Sequence, residues 1–191
     1  MYPNKYMKKL YLIALFSIAF LERVVFDLGP NAELITTAMI LSAIYVGKKE
    51  SFWLIFAIVA ITDRLIGNTN IILFTWTGFL IPAYLLGKLL KDNKNKIIKT
   101  MFGTGAGIGA NFFFFLWTNF GVWYLDSWGI YPDTLQGLIA SYVNALPFLK
   151  AQLTSTLVFI PLGILLTETA LKYKGSLLKQ LTKLTLTQNS Q

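Results

Sequence analysis

Six apolar runs punctuated by lysine clusters limit what this chain can fold into. The runs cover residues 10–26, 32–46, 52–66, 71–90, 97–125 and 151–171. A bilayer-spanning helix takes about 20 largely apolar residues, or about 17 at the short end. The second and third runs hold 15 residues each. They span only by recruiting flanking residues or where the bilayer thins. Charged residues make up 14% of the chain, against roughly a quarter in a soluble domain. The pattern predicts an all-α integral membrane protein with six transmembrane helices. The opening "MYPNKYMKKLYLIALFSIAFLERVVF" starts like a signal peptide, but its apolar run is too long and no small-residue cleavage site follows. It reads as a retained first helix.

Orientation follows from the lysines. With the N-terminus in the cytoplasm and six crossings, 14 of the 17 basic residues lie inside, and only Arg23, Arg64 and Lys150 lie towards the outside. Acidic residues divide the other way, with Glu22, Asp27, Glu33, Asp63, Asp126 and Asp133 outside. This positive-inside bias predicts a multi-pass plasma-membrane protein with both termini cytoplasmic. It also accounts for the net charge of +8 as contact with membrane lipid rather than nucleic acid. A seventh apolar stretch, 135–148, cannot cross without moving the lysine-rich tail outside. It is expected as an extra amphipathic helix on the outer face between helices five and six. Asp133 and Gln136 suggest a capping box at its start. The expected organisation is one six-helix membrane domain over 1–175 and a frayed cytoplasmic tail over 176–191.

Several chemistries are excluded. The chain has no histidine and no cysteine, so histidine-based catalysis and thiolate metal sites are absent. Neither a cofactor nor a metal is expected. "GTGAGIGAN", residues 103–111, is glycine-rich but lies inside an apolar helix and has no Gly-Lys-Ser/Thr after it. Gly103 with Gly107, and Gly105 with Gly109, instead read as small residues that let neighbouring helices approach. Any uphill transport would draw its energy from a partner or an ion gradient. An intramembrane enzyme would have to rest on groups such as Asp63 or Lys150, whose spacing marks no acid–base pair. The chain is not expected to be an enzyme.

Two polar constellations remain. Asp63 and Arg64 are adjacent, so on a helix they point about 100° apart and cannot pair with each other. Glu22 and Arg23 form a second adjacent pair at the same level. Crosswise pairing of Arg23 with Asp63 and Glu22 with Arg64 would satisfy all four charges. The group is open to two readings, a structural clasp or the floor of an outward-facing cavity. The second constellation holds Thr118, Asn119, Trp123 and Tyr124, then Tyr142 and Asn144, then Lys150, Gln152 and Thr156. Asn119 and Trp123 share a helix face. Polar groups, aromatic plates and one cation suit a small polar or partly aromatic molecule. An aromatic belt with interhelical hydrogen bonds would use the same residues.

Residues 118–159 carry more specific blocks: Asn119, Phe120, Gly121, Val122 and Trp123; Tyr131, Pro132, Thr134, Leu135, Gly137 and Leu138; and Tyr142, Ala145, Pro147 and Phe148. Upstream stand Arg23, Pro30, Asn31, Asp63 and Gly67. With these blocks the chain resembles a family of small bacterial membrane proteins grouped with the S components of energy-coupling-factor (ECF) transporters. The resemblance implies six helices and outer-side capture of a small vitamin-like substrate, passed to a transmembrane coupling protein driven by ATPase subunits. Many S components dock through an Ala-x-x-x-Ala face on the first helix. Here Ala14, Ser17 and Ala19 give no such pair, so docking either uses Ala38 and Ser42 on the second helix or does not occur. The expected substrate-binding residues are Glu22, Arg23, Asn31, Asp63, Asn119, Trp123, Tyr142, Asn144 and Lys150. The alternative is a small structural membrane protein that scaffolds a larger complex and needs no outer cavity.

Overall fold

The computed structural model describes residues 5–26, 34–67, 70–90, 95–126 and 128–188, with 174–188 as backbone only. Among these residues every regular element is helical. They are α1 (Lys5–Leu21), a π-helical turn (Glu22–Phe26), α2 (Ile35–Tyr45), α3 (Lys48–Ile66), α4 (Ile72–Leu89), α5 (Lys96–Leu125) and α6 (Leu135–Gln188). We call the end carrying Glu22 and Asp63 upper, and the end carrying Lys99 and Glu168 lower.

The short helix α2 is the axis of the bundle. All eleven of its residues are buried, and α1, α3, α4, α5 and α6 each pack on it. Its sequence, ITTAMILSAIY, has no charged face, as a helix enclosed on all sides requires. At 1.5 Å per residue it runs only about 16 Å, roughly half the thickness of a bilayer's hydrocarbon layer. Around it Ile55 and Ile58 of α3, Phe79 and Ala83 of α4, and Ile160 and Ile164 of α6 are wholly buried. Every other helix exposes large apolar side chains, such as Ile13, Trp53, Leu73, Phe102 and Leu157.

Among the described residues two helical segments are long and apolar enough to cross a membrane: Ile72–Leu89, and Leu135–Tyr173 within α6. The run at 32–46 yields a helix too short to do so, and those at 10–26 and 52–66 share their helices with charged residues.

Glycines on α5 divide by face. A Cβ on Gly107 would come within 2.5 Å of Ile160, and one on Gly103 within 3.3 Å of Ile40. That face packs as expected. A Cβ on Gly105 or Gly109 would have nothing within 4 Å, so the second pair brings no helix of this chain close.

The connection to α6 departs from expectation. The stretch 135–148 is not a separate helix. It is the first part of α6, which continues through Pro147 and Pro161. A proline in a helix interior removes one hydrogen bond and usually kinks or ends the helix. Here α5 lies alongside the join, with Phe115 packed among Ala145, Leu149, Tyr142 and Leu153, so lateral contact spans the defect. The helix start also differs. Thr134, not Asp133, caps it, with its Oγ1 accepting the Gly137 N–H at 3.1 Å. At the other end the backbone of α6 is helical to Gln188.

Candidate functional site

The upper cluster is built by the ends of four helices. The π-helical turn after α1 carries Glu22 and Arg23, and α3 delivers Asp63 one turn before Gly67. Gly67 ends α3 with φ 76°, the left-handed conformation glycine tolerates, and donates its N–H to the Asp63 carbonyl. Arg23 Nη2 lies 2.7 Å from Asp63 Oδ1. Trp76 Nε1 of α4 donates to the other carboxylate oxygen at 2.9 Å. Asp63 is 1% exposed, so both of its oxygens are engaged out of reach of solvent. The expected Arg23–Asp63 pair therefore forms.

Its companion does not. Arg64 is exposed, about a quarter turn round α3 from Asp63, and among the described residues it makes no ion pair with Glu22. Glu22 is buried and instead accepts the Leu34 backbone N–H at 3.1 Å. Leu34 is the residue before α2 and has no side chain to cap it. Glu22 supplies the missing cap from another helix, and its charge faces the positive end of the α2 dipole.

The second constellation lies along the α5–α6 pair. Asn119 Nδ2 donates to the Phe115 carbonyl at 2.7 Å, within its own helix. Trp123 Nε1 donates to the Pro132 carbonyl at 3.1 Å and the Tyr142 hydroxyl to the Leu116 carbonyl at 3.1 Å. Asn144 is exposed and reaches the Tyr131 hydroxyl, and Lys150 is exposed. The Trp123 and Tyr142 donors fasten the connection between α5 and α6. The hydrogen bonds described for these residues run to other groups than Glu22, Arg23 and Asp63. Asn31 lies outside the described residues.

A buried network joins Gln152 and Thr156, named from the sequence, to Thr36 and Asn111, which the sequence did not mark as site residues. The Thr36 hydroxyl donates to Asn111 Oδ1 at 2.9 Å. Asn111 Nδ2 donates to Thr156 Oγ1 at 2.6 Å and to the Gln152 carbonyl at 3.2 Å. Asn111 is wholly enclosed and Gln152 is 3% exposed. The network joins α2, α5 and α6 beside the first turn of α2. Among the described residues two further buried atoms, Gln152 Nε2 and Thr37 Oγ1, have no hydrogen-bond partner. The signal available was Asn111 itself, an amide placed between Gly107 and four consecutive phenylalanines.

The lower end carries a matching cluster. Lys99 of α5 is ion-paired with Glu168 of α6, and the Tyr45 hydroxyl of α2 donates to the same carboxylate oxygen at 2.8 Å. Lys99 Nζ also sits 4.8 Å from the centre of the Tyr45 ring.

Neither the curated proteins nor the solved structures contain a match to this chain. A family described only as being of unknown function (DUF6580) matches residues 4–176. Since that match covers nearly all the described helices, the chain belongs to this family.

Proposed function

We propose that the chain is a six-helix plasma-membrane protein with both termini in the cytoplasm. In it, α1 to α5 and the 151–171 part of α6 act as the membrane passes. It serves as an S component-like subunit of an energy-coupling-factor uptake system. It captures a small vitamin-like molecule from the outer side and passes it to a transmembrane coupling protein with ATPase subunits. The apolar exterior of five helices supports residence in lipid, because soluble monomers seldom expose contiguous apolar patches above a few hundred Å². The lysine distribution supports the orientation.

The observation that carries the capture reading is the incomplete polar interior. An apolar bundle has drawn Thr36, Asn111, Gln152 and Thr156 together at the top of a half-length helix. It nevertheless leaves the Gln152 amide nitrogen open. Buried polar atoms are nearly always paired, and one that is not calls for a water or a ligand. The test is mass spectrometry of small molecules that co-purify with detergent-extracted protein, comparing wild type with Gln152→Leu. A molecule retained by wild type and lost from the variant supports capture. No retained molecule in either removes it.

A specific observation favours a second reading, a structural scaffold. Asn119, Trp123 and Tyr142 direct their donors to backbone carbonyls of the same chain, and Asp63 is fully engaged. A scaffold would satisfy its polar groups in this way. It would co-purify with a protein complex in place of a small molecule.

A further inference from the structure

At the lower end the last turns of α4 lie against the first turn of α3. A Cβ on Gly87 of α4 would fall 2.8 Å from Lys48 Cα, at the start of α3. Glycine, having no Cβ, lets the two backbones come this close. The contact sets Lys48 beside the turn of α4 that carries Lys88. Both lysines are exposed. Lys88 Nζ sits 4.0 Å from the centre of the Tyr84 ring, and Lys48 lies within electrostatic range of the same phenol. Two cations thus converge on one aromatic ring at the edge of the bundle.

Among the described residues neither lysine makes an ion pair. The acidic residue of that turn, Glu50, is two positions after Lys48 and so about 200° round α3. Its Oε2 is turned to Gly47, 3.1 Å from where a Cβ would stand there. Asp92 lies outside the described residues. Two neighbouring like charges repel, and an anion shared between them relieves both. What lies above the lysines narrows the anion. Ile81, Tyr84, Leu85 and Lys88 fall within an arc of about 100° on α4. Ile81, Tyr84 and Leu85 are 39%, 48% and 49% exposed. Going down α4, the surface is therefore aliphatic, then aromatic, then cationic. A phospholipid in a bilayer presents its acyl chain, its interface and its phosphate in that order.

We infer that the lower end of the α3–α4 pair is a binding site for one anionic phospholipid. The lipid phosphate sits between the Lys48 and Lys88 ammonium groups, and an acyl chain runs up α4 over Tyr84, Leu85 and Ile81. The inference rests on the membrane reading above, which puts the lower end in the cytoplasmic leaflet where anionic lipids attract clustered lysines. It does not depend on the capture of a polar substrate at Asn111 and Gln152.

The experiment uses the full chain, extracted in detergent and offered phosphatidylglycerol and phosphatidylcholine in equal amounts. Native mass spectrometry reads the fraction of protein carrying one bound lipid of each kind. Wild type is expected to retain phosphatidylglycerol in preference. Lys48→Gln with Lys88→Gln should lower that retention roughly tenfold or more, the weight of two lysines at a lipid surface. Lys48→Arg with Lys88→Arg keeps both charges and should keep the lipid. Lys5→Gln with Lys9→Gln removes the same charge from exposed positions at the same end and should leave retention nearly unchanged. Equal losses in the two glutamine pairs would reduce the effect to overall charge and overturn the site, as would no loss in either. Displacement of the lipid by millimolar inorganic phosphate would make this a free-anion site and overturn the lipid assignment. Alkaline carbonate extraction of the source membranes separates the two failures. Protein that stays in the pellet but shows no lipid preference loses only this site, whereas protein that washes off loses the membrane reading and the site with it.

Discussion

Arg23 and Asp63 meet at 2.7 Å across a separation of 40 residues, and the indole of Trp76 holds the carboxylate from its other side. The Asp63 side chain has no exposed surface and that of Arg23 is 11% exposed. Taking two charges out of water is repaid only when each is well paired. Removing one partner strands the other. Asp63→Ala is therefore expected to destabilise the protein by about 3–5 kcal/mol, read as a lowered midpoint of thermal unfolding in detergent. An apolar replacement of both, Arg23→Met with Asp63→Leu, should recover most of that loss. If the double variant also retains small-molecule binding, the cluster is a clasp and no part of the ligand site. Unchanged stability in Asp63→Ala would show that the pair contributes nothing.

Glu22 acts on α2 from a distance in sequence. Replacing a capping group by alanine costs about 0.5–2 kcal/mol, and Glu22→Ala is expected to fall in that range. Glu22→Gln keeps an acceptor oxygen for the Leu34 N–H but loses the charge facing the helix dipole, and should cost about 0.3–1 kcal/mol. Amide exchange at residues 34–38 is the more direct readout. It should speed up in Glu22→Ala before any global change.

These two residues also mark how far the sequence could be read. Arg23 with Asp63 was legible because a buried charge must find its opposite, and few opposites were available. The partner of Glu22 was not, since a backbone N–H has no letter of its own. Trp76 was hidden for a related reason, because a tryptophan in an oily run reads as core or belt until its N–H is seen donating. The all-helical class followed from the length of the apolar runs and the scarcity of charge. The central place of α2 did not. A helix apolar on every side is surrounded, but sequence cannot say whether by lipid or by other helices. The separate outer helix expected over 135–148 did not appear, because contact with α5 lets one helix run on through Pro147. In the second constellation residue identity pointed to a cavity, whereas side-chain direction sent Trp123 and Tyr142 to backbone carbonyls.

Two glycines separate tight approach from idle space. A Cβ on Gly137 would collide with the Pro132 carbonyl oxygen, whereas nothing lies within 4 Å of one on Gly109. A backbone atom cannot swing aside as a side chain can. Gly137→Ala must shift the 126–134 connection off the start of α6, at an expected cost of about 1–3 kcal/mol, typical of overpacking. Proteolysis within 126–134 should become faster. Gly109→Ala is expected to stabilise by roughly 0.5–1 kcal/mol, since alanine replaces glycine inside a helix without a clash. Equal effects at the two sites would contradict the close approach of Gly137 to Pro132.

The lower ion pair supports a prediction about asymmetry. The Lys99 side chain is 4% exposed, whereas that of Glu168 is 29% exposed. Glu168 also keeps the Tyr45 hydroxyl as a donor if the lysine is lost. Lys99→Met therefore leaves a carboxylate that water can reach and a tyrosine still serves, and should cost about 1 kcal/mol or less. Glu168→Gln leaves the enclosed Lys99 ammonium facing a neutral amide in place of the carboxylate. That change is expected to cost about 3–5 kcal/mol. The double variant should lie close to Lys99→Met alone, because no buried charge is then left to strand. Thermal unfolding of the three variants in one detergent measures the coupling. Single variants that weaken the protein equally would mean the lysine is wetter than its burial implies.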